Sequence, residues 1–268
     1  MTQRAVRREQ RKKGFFITGT DTGVGKTIIS AALIKAVRMI GLKSCGMKPV
    51  ETGCTKKKKF KVKSSHLGES PEATKLKVQN RDLTPHDGIF LKKIAGVNAS
   101  LDLITPIRFE NPLAPLTASE IEGRAVDPGT IKKAYQELSV EYDVMIVEGI
   151  GGLLVPLRKN YFVLDLASDL GLPVVVVARP GLGTINHTML TVNYALKAGL
   201  PVAGIIINYT RPPEGSPAEV TNPGIIRQIS SVPLLGVFPF LNDFKSETIG
   251  KAAADSLNIE TIRNYLAG

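Results

Sequence analysis

Short apolar runs alternate along this chain with stretches whose apolar positions recur every three or four residues, the pattern of strands followed by helices. The first run, 14–18, leads into Ile28, Ile29, Ala32, Leu33, Ala36, Val37 and Ile40 at helical spacing. A second run, 43–50, ends in Met47-Lys48-Pro49-Val50. Pro49 cannot donate to a ladder, so the strand stops there and Lys48 stands at its carboxyl end. Further strands are predicted over 142–148, 172–178, 202–208 and 234–238. The 172–178 run is apolar throughout, as a strand covered on both faces should be. Helices are predicted over 87–96, from Asp127-Pro128-Gly129 to about Ser139, over 184–197 and over 225–231, with two more after Leu241. Residues 109–115 are proline-spaced and extended, and 211–223 reads as a loop. The stretch 54–86 has so little periodicity that it reads as one long mobile loop. Strand and helix alternate without an internal repeat. The prediction is an α/β fold: a single domain with a mostly parallel sheet, helices on both faces and right-handed crossovers.

The turn between the first strand and the first helix carries the clearest chemistry, Gly19-Thr20-Asp21-Thr22-Gly23-Val24-Gly25-Lys26-Thr27. Glycines at 19, 23 and 25 let the backbone turn its N–H groups inward, and the helix N-terminus adds positive partial charge. Such a loop cradles phosphates, with Lys26 reaching the β and γ phosphates and the Thr27 hydroxyl on magnesium. Its first glycine stands one residue earlier than the usual Walker A spacing requires. A glycine-rich turn that binds nothing is the bland alternative. The flanking strand and helix and the intact Gly-Lys-Thr argue for the P-loop.

Two more strand ends matter in that context. In an open parallel sheet, ligands bind beyond the carboxyl ends of the strands. Lys48 is there either as a surface charge or as a cation beside the phosphates. The run Val144-Met145-Ile146-Val147-Glu148 followed by Gly149-Ile150-Gly151-Gly152 places a carboxylate at a strand end, as a magnesium position does. Asp87 is either a helix cap or a further oxygen ligand.

At 268 residues and 43% hydrophobic content, the chain can bury a large core. Its net charge of +11 would suggest nucleic acid, but the charge is local. Residues 1–13 carry +5 and residues 56–63 carry +6, so the body is formally neutral. Neither run is interleaved with aromatics that would stack bases, so no nucleic-acid partner is expected. Residues 1–13 read as a basic flexible segment ahead of a domain spanning 14–268. Two cysteines, Cys45 and Cys54, and no histidine cluster exclude a disulfide framework or a zinc site. No apolar run approaches a membrane span or a signal peptide, and a cytoplasmic protein is expected.

Taken together, Gly19 to Thr27, Lys48-Pro49-Val50 with Thr52-Gly53, Glu148-Gly149-x-Gly151-Gly152, Leu182-Gly183-Thr184-Ile185-Asn186-His187 and Asn208 resemble dethiobiotin synthetase. The resemblance runs from about residue 14 to 241 and includes the extra residue in the phosphate loop. It implies a homodimer that uses ATP and magnesium to close the ureido ring of dethiobiotin from 7,8-diaminopelargonic acid and carbon dioxide. It implies that Lys48 and Lys26 act in the chemistry, and that Thr27, Asp87 and Glu148 hold magnesium. ATP would lie along Gly23, Val24, Gly25, Lys26, Thr27 and Ile28, with Gly149, Ile150 and Gly151 nearby. Asn208 and Tyr209 would meet the adenine edge, with Pro239, Phe240 and Leu241 lining that pocket. Thr22, Thr52 and Gly151 would contact the diamine, and the turn of Leu182, Gly183, Thr184 and Asn186 its carboxylate, across the dimer interface.

The stretch 54–86 is longer and more basic than the resemblance implies, and the N-terminal run has no role in that chemistry. Two other readings share the fold. A cobyrinic acid diamide synthase-like amidoligase would carry a glutaminase domain, for which this chain is expected to be too short. A partitioning-type switch ATPase would place a lysine where Asp21 stands.

Overall fold

A computed structural model describes residues 13–56 and 82–267. The basic run up to Lys12 and the lysines from Lys57 to Lys63 lie outside the described residues.

Six parallel strands form the central sheet: β1 Gly14–Gly19, β2 Ser44–Met47, β3 Val144–Glu148, β4 Val174–Ala178, β5 Val202–Asn208 and β6 Leu234–Phe238. Their order is β6-β5-β4-β1-β3-β2. β1 therefore lies between β3 and β4, with Ile17 level with Glu148 and Gly19 level with Val177. The chain moves to one side of β1 first and to the other side afterwards, which opens the ligand crevice at its carboxyl end.

The main helices are α1 Lys26–Met39, α2 His86–Ala95, α3 Pro128–Glu141, α4 Val163–Leu170, α5 Thr184–Lys197, α6 Pro217–Ile229, α7 Ser246–Ser256 and α8 Ile259–Ala267. Alternate strand residues point to opposite faces. Phe15, Ile17, Ile146 and Val177 join α1, α2, α7 and α8 on one face. Phe16, Met145, Val147 and Val176 join α3 to α6 on the other. Both layers are buried, which explains the nearly continuous apolar strands.

Several expectations are corrected. β2 stops at Met47, and Val50–Glu51 leaves the sheet to pair with Ile107–Arg108. Of the predicted loop over 54–86, residues 57–81 lie outside the described residues, and at its described ends Thr55–Lys56 pairs with Leu83–Thr84. Residues 211–223 are not all loop, because α6 starts at Pro217 and runs through Pro223. Proline suits the first helical position, and the Ser216 hydroxyl caps the turn from Glu219 N–H at 3.3 Å. Pro223 cannot donate to the carbonyl four residues back; that carbonyl, of Glu219, accepts from the Tyr209 hydroxyl at 3.4 Å instead. The helices Leu101–Ile104, Pro115–Glu122 and α4 are too short for their periodicity to be legible.

Candidate functional site

Every strand-end residue singled out from the sequence comes to the carboxyl edge of this sheet. The loop after β1 enters α1 through Gly25, whose φ of +84° is left-handed. A Cβ there would lie 2.1 Å from Asn208 Nδ2. Only glycine fits this position on both counts. Asn208, at the end of β5 and buried, donates from Nδ2 to the Val24 carbonyl at 2.8 Å. Its amide nitrogen thus buttresses the phosphate loop. Lys26 folds back over the loop and donates to the Asp21 carbonyl at 3.2 Å. Burial, and then the neighbouring Lys48 charge, lower the Lys26 pKa to about 8. Two buried lysine side chains are held near enough for their charges to oppose one another, as suits a site for a polyanion.

Lys48 is the centre of the second cluster. Its side chain is 5% exposed, and Nζ lies 2.5 Å from Glu148 Oε1 and 3.1 Å from Asp87 Oδ2. It also donates to the Gly149 carbonyl at 3.3 Å. Burial works against the Lys48 ammonium, but the facing carboxylates of Glu148 and Asp87 outweigh it and raise its pKa. The surface-charge reading of Lys48 is therefore excluded. The Thr27 hydroxyl donates to the same Glu148 Oε1 at 2.9 Å, which ties the P-loop helix to β3. Burial pushes the Glu148 carboxyl up, against the pull of Lys48. Its second oxygen, Oε2, is buried without a hydrogen-bond partner. A buried, unsatisfied carboxylate oxygen costs free energy until a donor or cation meets it.

Asp87 lies in the first turn of α2 and makes no side-chain cap; the N-cap position belongs to Pro85. The capping role falls to Glu51, which sequence reasoning missed. Its Oε1 accepts from Asp87 N–H and its Oε2 from Gly88 N–H, each at 3.0 Å. Burial, with Asp87 adding to it, pushes the Glu51 carboxyl up to about 7. The available signal was its place three residues after Lys48, but capping by a distant residue leaves no mark on local spacing.

The turn after β4 borders the loop on the other side. Arg179 pairs with Asp21 at 2.6 Å, and the buried Asn222 side chain of α6 donates to the carbonyls of Pro180 and Gly181 at 2.8 and 3.1 Å. Sequence reasoning missed both of these clamps. Thr184 is buried, whereas Leu182, Gly183 and Asn186 are exposed. Thr22 is exposed, Thr52 is half-buried, and Gly151 accepts from Gly19 N–H at 3.2 Å. Tyr209 N–H donates to the Phe238 carbonyl at 3.0 Å. Beyond it Pro239 is exposed, Phe240 is half-buried and Leu241 joins the core beside α1. Gly149 is buried and Ile150 half-buried at the end of β3.

Oxygen donors for a hard divalent cation gather in one place, at Thr27, Glu148 and Asp87. Among the described residues no group of three or more His, Cys, Asp and Glu side chains forms a metal cage. Magnesium held against phosphates takes one or two carboxylates and keeps its waters, so this donor set fits it. No helix among the described residues is long and apolar enough to cross a membrane.

A family model described as an AAA domain matches residues 13–248. The chain is 43% identical to the ATP-dependent dethiobiotin synthetase BioD of Thermodesulfovibrio yellowstonii, over 94% of this chain and 98% of that protein. It is 38% identical to the synthetase of the same name from Bacillus velezensis, over 94% and 97%. Among solved structures, the septum site-determining protein MinD of Pyrococcus horikoshii, complexed with Mg-ADP, superposes with a TM-score of 0.51 at 20% identity. That match covers 95% of this chain and 94% of MinD, and it shows the shared fold alone.

Proposed function

We infer the chemistry from one premise: this chain belongs to the ATP-dependent dethiobiotin synthetases and is an ATP-dependent ligase of biotin biosynthesis. We propose that the reaction takes place between Lys26 and Lys48, at the carboxyl ends of β1 and β2.

One amine of 7,8-diaminopelargonic acid adds to carbon dioxide, forming an N–C bond and releasing a proton. An oxygen of the resulting carbamate attacks the γ-phosphorus of ATP, and the bond to the ADP oxygen breaks. The second amine then attacks the carbamoyl carbon, loses a proton, closes the ureido ring and expels phosphate. The difficult moment is the approach of one anion to another. Fixed cations that need no reorganisation lower that barrier most effectively. Lys48 is such a cation: it is buried, charged and held by Glu148, Asp87 and the Gly149 carbonyl. This is the observation that carries the proposal. Lys26, drawn from the Asp21 carbonyl to the phosphates, supplies the second charge.

Thr27, Glu148 and Asp87 would hold magnesium, which supplies charge neutralisation on the phosphates when bound. The orphaned Glu148 Oε2 supports that assignment. Backbone N–H groups from Gly23 to Ile28 would hold the phosphates, with Gly149, Ile150 and Gly151 beside the nucleotide. Asn208, Tyr209, Pro239, Phe240 and Leu241 are assigned to the adenine end. Thr22, Thr52 and Gly151 are assigned to the diamine, and Leu182, Gly183, Thr184 and Asn186 to its carboxylate at the N-terminus of α5. A homodimer through α5 accords with the exposure of Leu182, Leu190 and Tyr194.

Phosphate release from ATP and magnesium, with and without the diamine and bicarbonate, tests this reading. Release should need both and should collapse in Lys48→Ala. Release indifferent to the diamine but stimulated by DNA would instead indicate a switch ATPase.

A further inference from the structure

The segment that carries Lys48 grips helix α2 twice. Lys48 meets the Asp87 carboxylate, and three residues later Glu51 takes the backbone N–H groups of Asp87 and Gly88. Glu51 is 5% exposed, so this is a buried clasp and not a solvated cap. The segment is itself pinned. Lys48 N–H donates to the Ile104 carbonyl at 2.8 Å, and Val50–Glu51 pairs with Ile107–Arg108. The helix start has no slack either, since a Cβ on Gly88 would lie 2.0 Å from Thr105 Oγ1.

Helix capping alone does not account for this choice of residue. A serine or aspartate at the N-cap position would satisfy the same N–H groups locally, near water. The chain instead buries a carboxylate beside Asp87, a like charge, and both burial and repulsion disfavour it. What the arrangement gains is geometric. With its backbone held by Glu51, Asp87 has only its side-chain rotamer left to choose, and that side chain faces Lys48 Nζ.

We propose that Glu51 is a positioning residue for the ligase reaction, holding the start of α2 so that the Asp87 carboxylate stays set against Lys48 and the magnesium–nucleotide. The proposal rests on the reading of Lys48 and Asp87 given above. Outer-sphere groups of this kind are worth about 10-fold to 100-fold in affinity or activity.

The test is a double-mutant cycle of Glu51→Ala and Asp87→Ala, with Glu51→Gln as the conservative variant. It is read in kcat, in KM for ATP and in calorimetric affinity for magnesium with β,γ-imido-ATP. Glu51→Ala should lower kcat and magnesium-dependent nucleotide affinity by about 10-fold or more, with Tm down by only a few degrees. Glu51→Gln keeps one acceptor oxygen and should recover part of the loss. In the Asp87→Ala background, Glu51→Ala should cost less than a further 2-fold, because a residue acting through Asp87 has nothing left to position. Full multiplication of the two losses would overturn the proposal. So would a fall in Tm with kcat and nucleotide affinity unchanged, or an Asp87→Ala variant indistinguishable from wild type. If turnover proved independent of the diamine, the ligase reading would fail on its own, and the imido-ATP cycle would still decide the role of Glu51.

Discussion

Replacing Lys48 by methionine should destabilise the protein in a way that depends on pH. Methionine keeps most of the volume but removes the ammonium, leaving Glu148 inside the protein with one hydroxyl donor, from Thr27, and an oxygen that already lacks a partner. Breaking a buried ion pair from one side costs about 3–5 kcal/mol, because an uncompensated charge remains. Asp87 is 38% exposed and solvent screens it, so its lost contact adds little. For a chain of this size about 1 kcal/mol moves Tm by roughly 2–4 °C, so the loss should be on the order of 10 °C.

Protonation of Glu148 offers the variant an escape. Burial already pushes that carboxyl up, and without Lys48 nothing opposes the shift except Thr27. A carboxyl whose folded pKa lies above its unfolded value contributes stability at low pH that is lost as pH rises through the folded pKa. The Lys48→Met penalty should therefore be smaller at pH 5 than at pH 8. Adding Glu148→Gln should recover much of it at the higher pH. The assay is urea unfolding followed by circular dichroism at both pH values. A loss below about 1 kcal/mol that is independent of pH, or no recovery in the double variant, would mean that Glu148 does not depend on Lys48 for its charge.

Two further outcomes follow from the phosphate loop. Lys26 has its pKa lowered to about 8 in the free protein, so phosphates arriving beside it should restore the missing charge. Nucleotide binding near pH 8 should then take up about half a proton, measured by calorimetry in buffers of different ionisation enthalpy, and Lys26→Arg should abolish the uptake. Gly25→Ala puts a Cβ into a left-handed position 2.1 Å from Asn208 Nδ2, so nucleotide affinity should fall at least about 10-fold in a fluorescent-ADP titration. Gly224→Ala, in α6 with open space around it, should instead stabilise the fold by about 0.5–1 kcal/mol in the same unfolding assay.

The parts of this molecule that were legible in its sequence are those where local chemistry leaves no choice. The runs over 202–208 and 234–238 coincide with β5 and β6; β5 is buried along its whole length and so is apolar up to Asn208, whereas β6, at the sheet edge, is only partly covered. Asp127-Pro128 opens α3 as expected, with the Asp127 carboxylate accepting from Gly129 and Thr130 N–H. The phosphate loop, Lys48 and Glu148 were recognisable because parallel topology brings strand ends to one edge. The pairing within that edge was not. Nothing local indicates that Lys48 lies against Glu148, a hundred residues away, or that Glu51 caps α2 in place of a residue of the helix itself. The start of α6 was missed because Pro223 reads as a breaker; Tyr209, the residue after β5, donates to the carbonyl that this proline leaves free.

The fate of one oxygen atom decides whether a carbamate attacks the nucleotide. If a carbamate oxygen attacks the γ-phosphorus and ring closure then expels phosphate, one oxygen of carbon dioxide must leave in that phosphate. A single turnover with ¹⁸O-labelled bicarbonate, ATP, magnesium and 7,8-diaminopelargonic acid, read by mass spectrometry, should give dethiobiotin together with phosphate carrying one ¹⁸O. Unlabelled phosphate released alongside labelled dethiobiotin would exclude attack by a carbamate oxygen on the γ-phosphorus.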